Sequence, residues 1–288
     1  MKSAPLINES PVSHATVLRD KLLSYIKQYN SALVAFSGGL DSALVLWATQ
    51  QALGAENTLA VTSTSASLPR REIEATRAFV TSIGLPESRH LLIETNELAD
   101  PDYAQNSPTR CFHCKDTLYT DLEKIRQREE LAVIFDGCNL SDLGDYRPGR
   151  KAAELAGVVS PLLACEIDKP RARQIARLAG LDVADKPSSA CLSSRVPFGV
   201  TITSEILRQI DNAETGLLAL GFAGCRVRYH KDVARLELTE EDMQKVQNNE
   251  TRREVVRVIK EAGFRFVALD LEGYRTGSLN PPDKTESI

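Results

Sequence analysis

The chain lacks any apolar run near the roughly 20 residues that a membrane-spanning helix needs. Its opening stretch, Met1 to Ser13, also lacks the apolar core of a secretory signal, so a cytoplasmic protein is expected. Neither sign of charge dominates. The net charge of −4 argues against a broad nucleic-acid-binding surface and leaves room only for a local basic patch. Internal repeats and low-complexity tracts are missing. No Lys-[Ser/Thr] pair follows the glycine-rich segment, so it is not a Walker A loop. No second C-x-x-C pair exists, which excludes a four-cysteine zinc ribbon. In a cytoplasmic chain of 288 residues the 6 cysteines are not expected to form a disulfide framework.

What is present begins with Ala35-Phe36-Ser37-Gly38-Gly39-Leu40-Asp41-Ser42. An apolar run, Ala32 to Phe36, precedes the glycines, and a helix-forming run, Ala43 to Ala48, follows them. The reading is strand, turn, helix. Glycines there let backbone N–H groups crowd around an anion, and the helix N-terminus adds partial positive charge. Ser37 and Ser42 add hydroxyl donors. Asp41 is out of place beside phosphates unless a divalent cation such as Mg²⁺ lies between them.

Strand and helix patterns alternate through the first part of the chain, with strands expected at 32–36, 58–62, 89–93 and 132–135 and a short one near 158–159. This predicts an α/β fold, a parallel sheet with helices on both faces and ligands at the carboxyl ends of the strands. A turn-rich stretch at 185–189 suggests a division into domains 1–186 and 187–288. Beyond it, helices at 204–220 and 252–262 with strands at 225–229, 233–238 and 266–269 predict a small α+β module around an antiparallel sheet. The polar tail from Asn280 reads as disordered.

Cys111-Phe112-His113-Cys114 stands between Arg110 and Lys115, cations that favour thiolate. By itself the pair fits half a zinc site, a redox couple or part of an iron–sulfur centre. Cys191 lies among small residues, with Arg195 four positions on as a cation able to act on the thiol or grip a phosphate. Arg226, Arg228 and His230 alternate along a strand, so one face of it offers guanidinium groups to a substrate phosphate. Asn139, Asp142, Asp145, Arg147 and Arg150 follow the fourth strand and are weaker candidates for orienting ATP or substrate. Glu205 and Glu214 lie on a later helix; Glu214 is a weak metal or substrate candidate against the plainer reading of helix surface. Cys138, Cys165 and Cys225 read as packing residues, and His113 as a spacer.

The Ser-Gly-Gly-Leu-Asp-Ser segment resembles the pyrophosphate loop of the N-type ATP pyrophosphatases. Joined to Asp136-Gly137-Cys138-Asn139, Asp145-Tyr146-Arg147-Pro148-Gly149, Cys191-Leu192-Ser193-Ser194-Arg195 and Arg226-Val227-Arg228-Tyr229-His230, it is similar to the ATP-dependent sulfur transferases that mature the lactate racemase nickel-pincer cofactor, the LarE family. The resemblance runs from about residue 15 to 275. It implies that ATP adenylates a carboxylate of a pyridinium dicarboxylate mononucleotide, and that sulfur displaces AMP to leave a thiocarboxylate. Ser37, Gly38, Gly39 and Ser42 would cradle the pyrophosphate, Asp41 would hold Mg²⁺, and Arg195 would act with Cys191. One branch of the family sacrifices the sulfur of a single cysteine, matching Cys191. Another holds a [4Fe–4S] cluster on three cysteines, matching Cys111, Cys114 and Cys191, and leaves one iron open for sulfide from a donor that the sequence does not name. The three-cysteine pattern favours the cluster branch. Family members form hexamers, so a homo-oligomer is implied. Three other readings stand beside it: tRNA thiolation, against which the acidic balance counts; amide ligation of the NAD- or GMP-synthetase kind, which needs no cysteines; and a non-catalytic iron or zinc sensor, which would not need Ser37, Asp41 and Ser42.

Overall fold

The computed structural model describes residues 11–144, 148–186 and 190–275. Within them the chain divides into two compact units. The first holds the chain up to Ser63, Ile73–Ile93 and the stretch from Lys115 to Lys186; the second holds Thr64–Glu72, Glu94–Cys114 and the stretch from Ala190 on.

In the first unit, α1 (Pro11–Ile26) leads into β1 (Ala32–Ala35), and the glycine turn into α2 (Leu40–Leu53). Then follow β2 (Thr58–Ser63), α3 (Arg70–Ser82) and β3 (His90–Ile93). A short α4 (Pro101–Ala104) and the first turn of α5 (Arg110–Arg128) belong to the second unit; the rest of α5, β4 (Val133–Phe135), α6 (Pro148–Leu155), α7 (Pro161–Ala164) and α8 (Lys169–Leu178) continue the first. The sheet order is β3-β2-β1-β4, with all pairs parallel. The pattern at 158–159 contributes only a parallel bridge, Val159 to Phe135, rather than a strand. Strands buried on both faces read as near-continuous apolar runs, and β1 (ALVA) and β2 (TLAVTS) do so. Helix α2 is buried nearly all round, which explains why its sequence shows no polar stripe. Since β2 and β3 lie on one side of β1 and β4 on the other, chain order reverses between β1 and β4. Ligands of open α/β sheets bind at the carboxyl ends of strands at such a switch point. The glycine turn and the Asp136–Asn139 segment leave the sheet on its two sides.

The second unit is built around α9 (Ser204–Ala219), β5 (Arg226–His230), β6 (Val233–Glu237), α10 (Glu240–Lys245), α11 (Asn249–Glu261) and β7 (Phe266–Leu269). Its sheet, β5-β6-β7, is mixed rather than antiparallel. A tight turn through Lys231 makes β5 and β6 antiparallel, whereas the helical crossover between β6 and β7 returns the chain in the same direction, so β7 pairs parallel. The side chains of Leu207, Ile210, Leu217, Val227, Leu236 and Ile259 form its core. Unlike the expected division at residue 187, this unit also gathers Thr64–Glu72 and Glu94–Cys114, because Leu98, Tyr103 and Cys114 pack into the same core. Asp145, Tyr146, Arg147, Pro187, Ser188, Ser189 and the tail from Asn280 lie outside the described residues.

Candidate functional site

The glycine turn of the first unit has the shape its residues imply. Gly38 takes a φ of 74°, a conformation that side-chain-bearing residues avoid, and Gly39 caps α2 with its N–H groups left to outside partners. The Ser42 hydroxyl accepts from the Ser37 backbone N–H at 3.2 Å, lies 3.0 Å from the Ser37 hydroxyl and donates to the Gly39 carbonyl at 3.1 Å. These bonds brace the turn as a cradle before any ligand arrives. Gly137, after β4, approaches so closely that a Cβ there would stand 2.6 Å from the Ser42 backbone nitrogen. The glycine is therefore required by packing against the loop.

Two lysines stand at the cradle that the sequence reading did not single out. Lys169 Nζ donates to Asp41 Oδ2 at 2.5 Å, and Lys186 Nζ to the Gly38 carbonyl at 3.0 Å. A signal existed for Lys169: it opens α8, where the helix dipole disfavours a cation, so its position asks for another reason. Its placement depends on the turn after β4, where Leu140 N–H bonds the Ile167 carbonyl and the Ser141 hydroxyl accepts from the Lys169 N–H. Among the described residues, the other oxygen of Asp41, Oδ1, is buried with no hydrogen-bond partner. A buried carboxylate oxygen left bare is costly, and a hard cation such as Mg²⁺ fits it.

Of the weaker candidates beyond β4, Asn139 and Asp142 are buried and hold the turn together: Asp142 Oδ2 accepts from the Asn139 N–H, and Asn139 Oδ1 from the Ser141 N–H. The Asn139 Nδ2 amide has no partner among the described residues. Arg147 lies outside them.

Cys111, Cys114 and Cys191 all belong to the second unit. The C-x-x-C pair forms the first turn of α5, where positions three apart share a face. Cys191 caps a single 3₁₀ turn, Leu192–Arg195. Side chains of the 101–114 stretch hold this loop. Tyr103 Oη lies 2.6 Å from the Ser193 hydroxyl, Arg110 Nη1 donates to the Ser193 carbonyl at 2.9 Å, and Asn106 Nδ2 to the carbonyls of Val196 and Pro197 at 3.2 and 2.8 Å. Cys111 and Cys191 are exposed and Cys114 is half-buried. Their sulfurs do not converge closely enough to share a single ion; among the described residues the one group of three metal-ligating side chains that does is Asp100, Asp102 and His113. Three thiols of one unit, two of them open to solvent, are the kind of donor that iron–sulfur centres use.

Arg195 is fully buried, and its guanidinium is committed. It grips Glu214 with two bonds, at 2.8 and 3.0 Å, and donates to the carbonyls of Ala190 and Cys191. It therefore shapes the Cys191 loop from behind. Glu214 is correspondingly not helix surface: it lies on the apolar stripe of α9 with Leu207, Ile210 and Leu217. A glutamate at that helical spacing was the readable signal. Burial drives its carboxyl upward, but the charge and hydrogen bonds of Arg195 and the Val227 N–H outweigh this and hold it below the usual glutamate range. Arg228 is also buried, paired with Glu237 at 2.6 Å and bonded to the Ser194 carbonyl, while Arg226 lies over the Tyr274 ring at 5.1 Å. Arg226 alone keeps partial exposure of these two. Cys225 and Cys165 are buried, and burial pushes both thiols up, Cys225 to about 12, in keeping with packing roles.

The sequence profile of the NAD synthase family matches residues 14–131, the span of the glycine turn and most of the parallel sheet. The NH(3)-dependent NAD(+) synthetase of Methanococcoides burtonii is 44% identical over 54 residues, only 19% of this chain and 20% of that one. Two relatives extend much further. An uncharacterized protein of Synechocystis is 40% identical over 91% of this chain and 96% of its own. The pyridinium-3,5-bisthiocarboxylic acid mononucleotide synthase of Lactiplantibacillus plantarum is 34% identical over 90% of this chain and 92% of its own. Identity at that level across both units carries more than a shared nucleotide fold: the chain belongs to the LarE family of pyridinium-bisthiocarboxylic acid mononucleotide synthases, with its glycine turn in an NAD-synthase-like pyrophosphatase-loop domain.

Proposed function

We propose that the protein is an ATP-dependent sulfur transferase acting on a pyridinium dicarboxylate mononucleotide, in the branch that carries a [4Fe–4S] cluster on Cys111, Cys114 and Cys191. What supports this reading is the presence in one unit of the Cys111–Cys114 pair and the remote Cys191, with two of the three exposed.

A carboxylate resists nucleophiles because its charge is spread over two oxygens, and its conversion to an acyl-adenylate supplies a leaving group. Residues of the first unit suit that step. The Ser37–Ser42 cradle and the N-terminus of α2 hold the phosphates in line, Lys169 and Lys186 offset their charge, and the β- and γ-phosphates leave as pyrophosphate. Mg²⁺ at Asp41 Oδ1 would supply further neutralisation there. Residues of the second unit suit delivery of sulfur. Arg195, fixed by Glu214, holds the Cys191 carbonyl and so the direction of its side chain, and Arg226 offers a guanidinium to the substrate phosphate. A cluster on the three thiolates would supply sulfur to the activated carbon while sparing the protein's own thiols. AMP leaves as the carbon–sulfur bond forms.

The test is iron and acid-labile sulfide on protein purified without oxygen, together with the masses of substrate and protein after turnover with ATP. About four irons per chain, lost in Cys111→Ala, with substrate gaining sulfur in place of oxygen and the protein mass unchanged, is the expected result. No iron after anaerobic reconstitution, with one sulfur missing from the protein after turnover, would replace this reading with a single-use Cys191.

A further inference from the structure

We infer that Arg110 is the positioning residue and the counter-ion of the three-cysteine site, tying the helix turn that carries Cys111 and Cys114 to the loop that carries Cys191. The identity of the bound group rests on the function proposed above; the geometry does not.

Arg110 opens α5, where a cation is disfavoured by the dipole and a surface position is the norm. Instead it is 6% exposed. Its Nη1 donates to the Ser193 carbonyl at 2.9 Å and to the Asn106 side-chain carbonyl, and its guanidinium lies 5.8 Å from the Phe198 ring centre. Asn106 holds the left-handed conformation, φ 56°, that asparagine tolerates, and its amide grips the carbonyls of Val196 and Pro197. One guanidinium and one amide thus clasp the Cys191 loop to the residue before the cysteine pair.

Charge gives the second argument. A buried cation is costly without an anion, and the other deeply buried arginines of this unit obey the rule: Arg195 pairs with Glu214 and Arg228 with Glu237. Arg110 has no carboxylate partner among the described residues; its contacts are two carbonyl oxygens and an aromatic face. Within one helical turn after it along the chain, the side chains able to become anions are Cys111 and Cys114. Three thiolates with an iron–sulfur centre carry net negative charge, so the missing counter-ion of Arg110 is the loaded cysteine set itself.

The experiment compares wild type with Arg110→Met, Arg110→Gln and Arg110→Lys in two readouts. The first uses the cluster-free protein. Dibromobimane bridges nearby thiols, and mass spectrometry of the digest gives the yield of Cys191 joined to Cys111 or Cys114. The second is the rate at which reconstituted protein loses iron to a chelator. Arg110→Met is expected to lower the bridging yield and to lose iron about tenfold faster, the size set by one charged hydrogen bond. Arg110→Lys, which keeps donor and charge, should recover most of both. Arg110→Gln, which keeps a donor without charge, should recover bridging but not iron retention. Bridging and iron loss equal to wild type in Arg110→Met would overturn the inference, and if that variant does not fold, unchanged iron loss in Arg110→Gln does so. Should wild type take up no iron, the proposed cluster fails, while the bridging yields still decide whether Arg110 positions the cysteines.

Discussion

The glycine turn of the first unit and the cysteine loop of the second are both compact and polar, yet they are assembled differently. The turn is contiguous: Ser37 to Ser42 supply its donors, and its internal bonds span five positions or fewer. The cysteine loop is held by residues from two distant segments, with Tyr103, Asn106 and Arg110 on one side and Glu214, acting through Arg195, on the other. Backbone N–H groups can bind an anion with little help from elsewhere. Thiolates that must share one centre need their separation imposed by packing. The first site should therefore fail through its chemistry, and the second through its supports.

Arg195→Met is the strongest challenge to that contrast. It leaves the buried Glu214 with only the longer ion pair to Arg71, at 3.4 Å, and should cost about 3–5 kcal/mol of stability, read as a loss in denaturant midpoint. The same pair makes the second unit acid-sensitive. Because the Glu214 carboxyl is held below its unfolded range, the stabilisation is complete above that range and fades as pH falls through the depressed value. Glu214→Gln should flatten the acid limb of the stability profile; an unchanged limb would move the sensitivity elsewhere.

Asp41→Asn tests the other side. Loss of a ligand charge should lower ATP-dependent pyrophosphate release by at least about 100-fold with the melting temperature little changed. Retained pyrophosphate release in that variant would remove Asp41 from the assigned role. A smaller effect should come from Gly137→Ala. The added methyl meets backbone rather than a movable side chain, so about 1–3 kcal/mol of stability and part of the nucleotide affinity should go together. Full affinity in a destabilised Gly137→Ala would show that the cradle tolerates movement of its neighbour.

Legibility follows the same division. The glycine turn, the alternation behind the parallel sheet and the cysteine spacing are local patterns and could be read directly. Lys169 and Lys186 could not be assigned to the turn, since they stand 128 and 148 positions from Asp41 and Gly38. The strand alternation of Arg226 and Arg228 was visible, but not that Glu237 on the neighbouring strand would bury the second of them. The parallel pairing of β7 likewise depends on where α11 carries the chain, which spacing along one strand does not encode.

By itself the sequence determined the fold class, the anion cradle and the identity of the thiols, because each follows from short-range backbone geometry or from residue chemistry. Tertiary structure alone decided which arginines are spent on carboxylates and which is left for another anion, which lysines attend Asp41, and that residues 64–72 and 94–114 join the C-terminal module. The physical reason is that burial and ion pairing depend on what arrives from remote parts of the chain, and a side chain's chemistry is fixed only when those neighbours are in place.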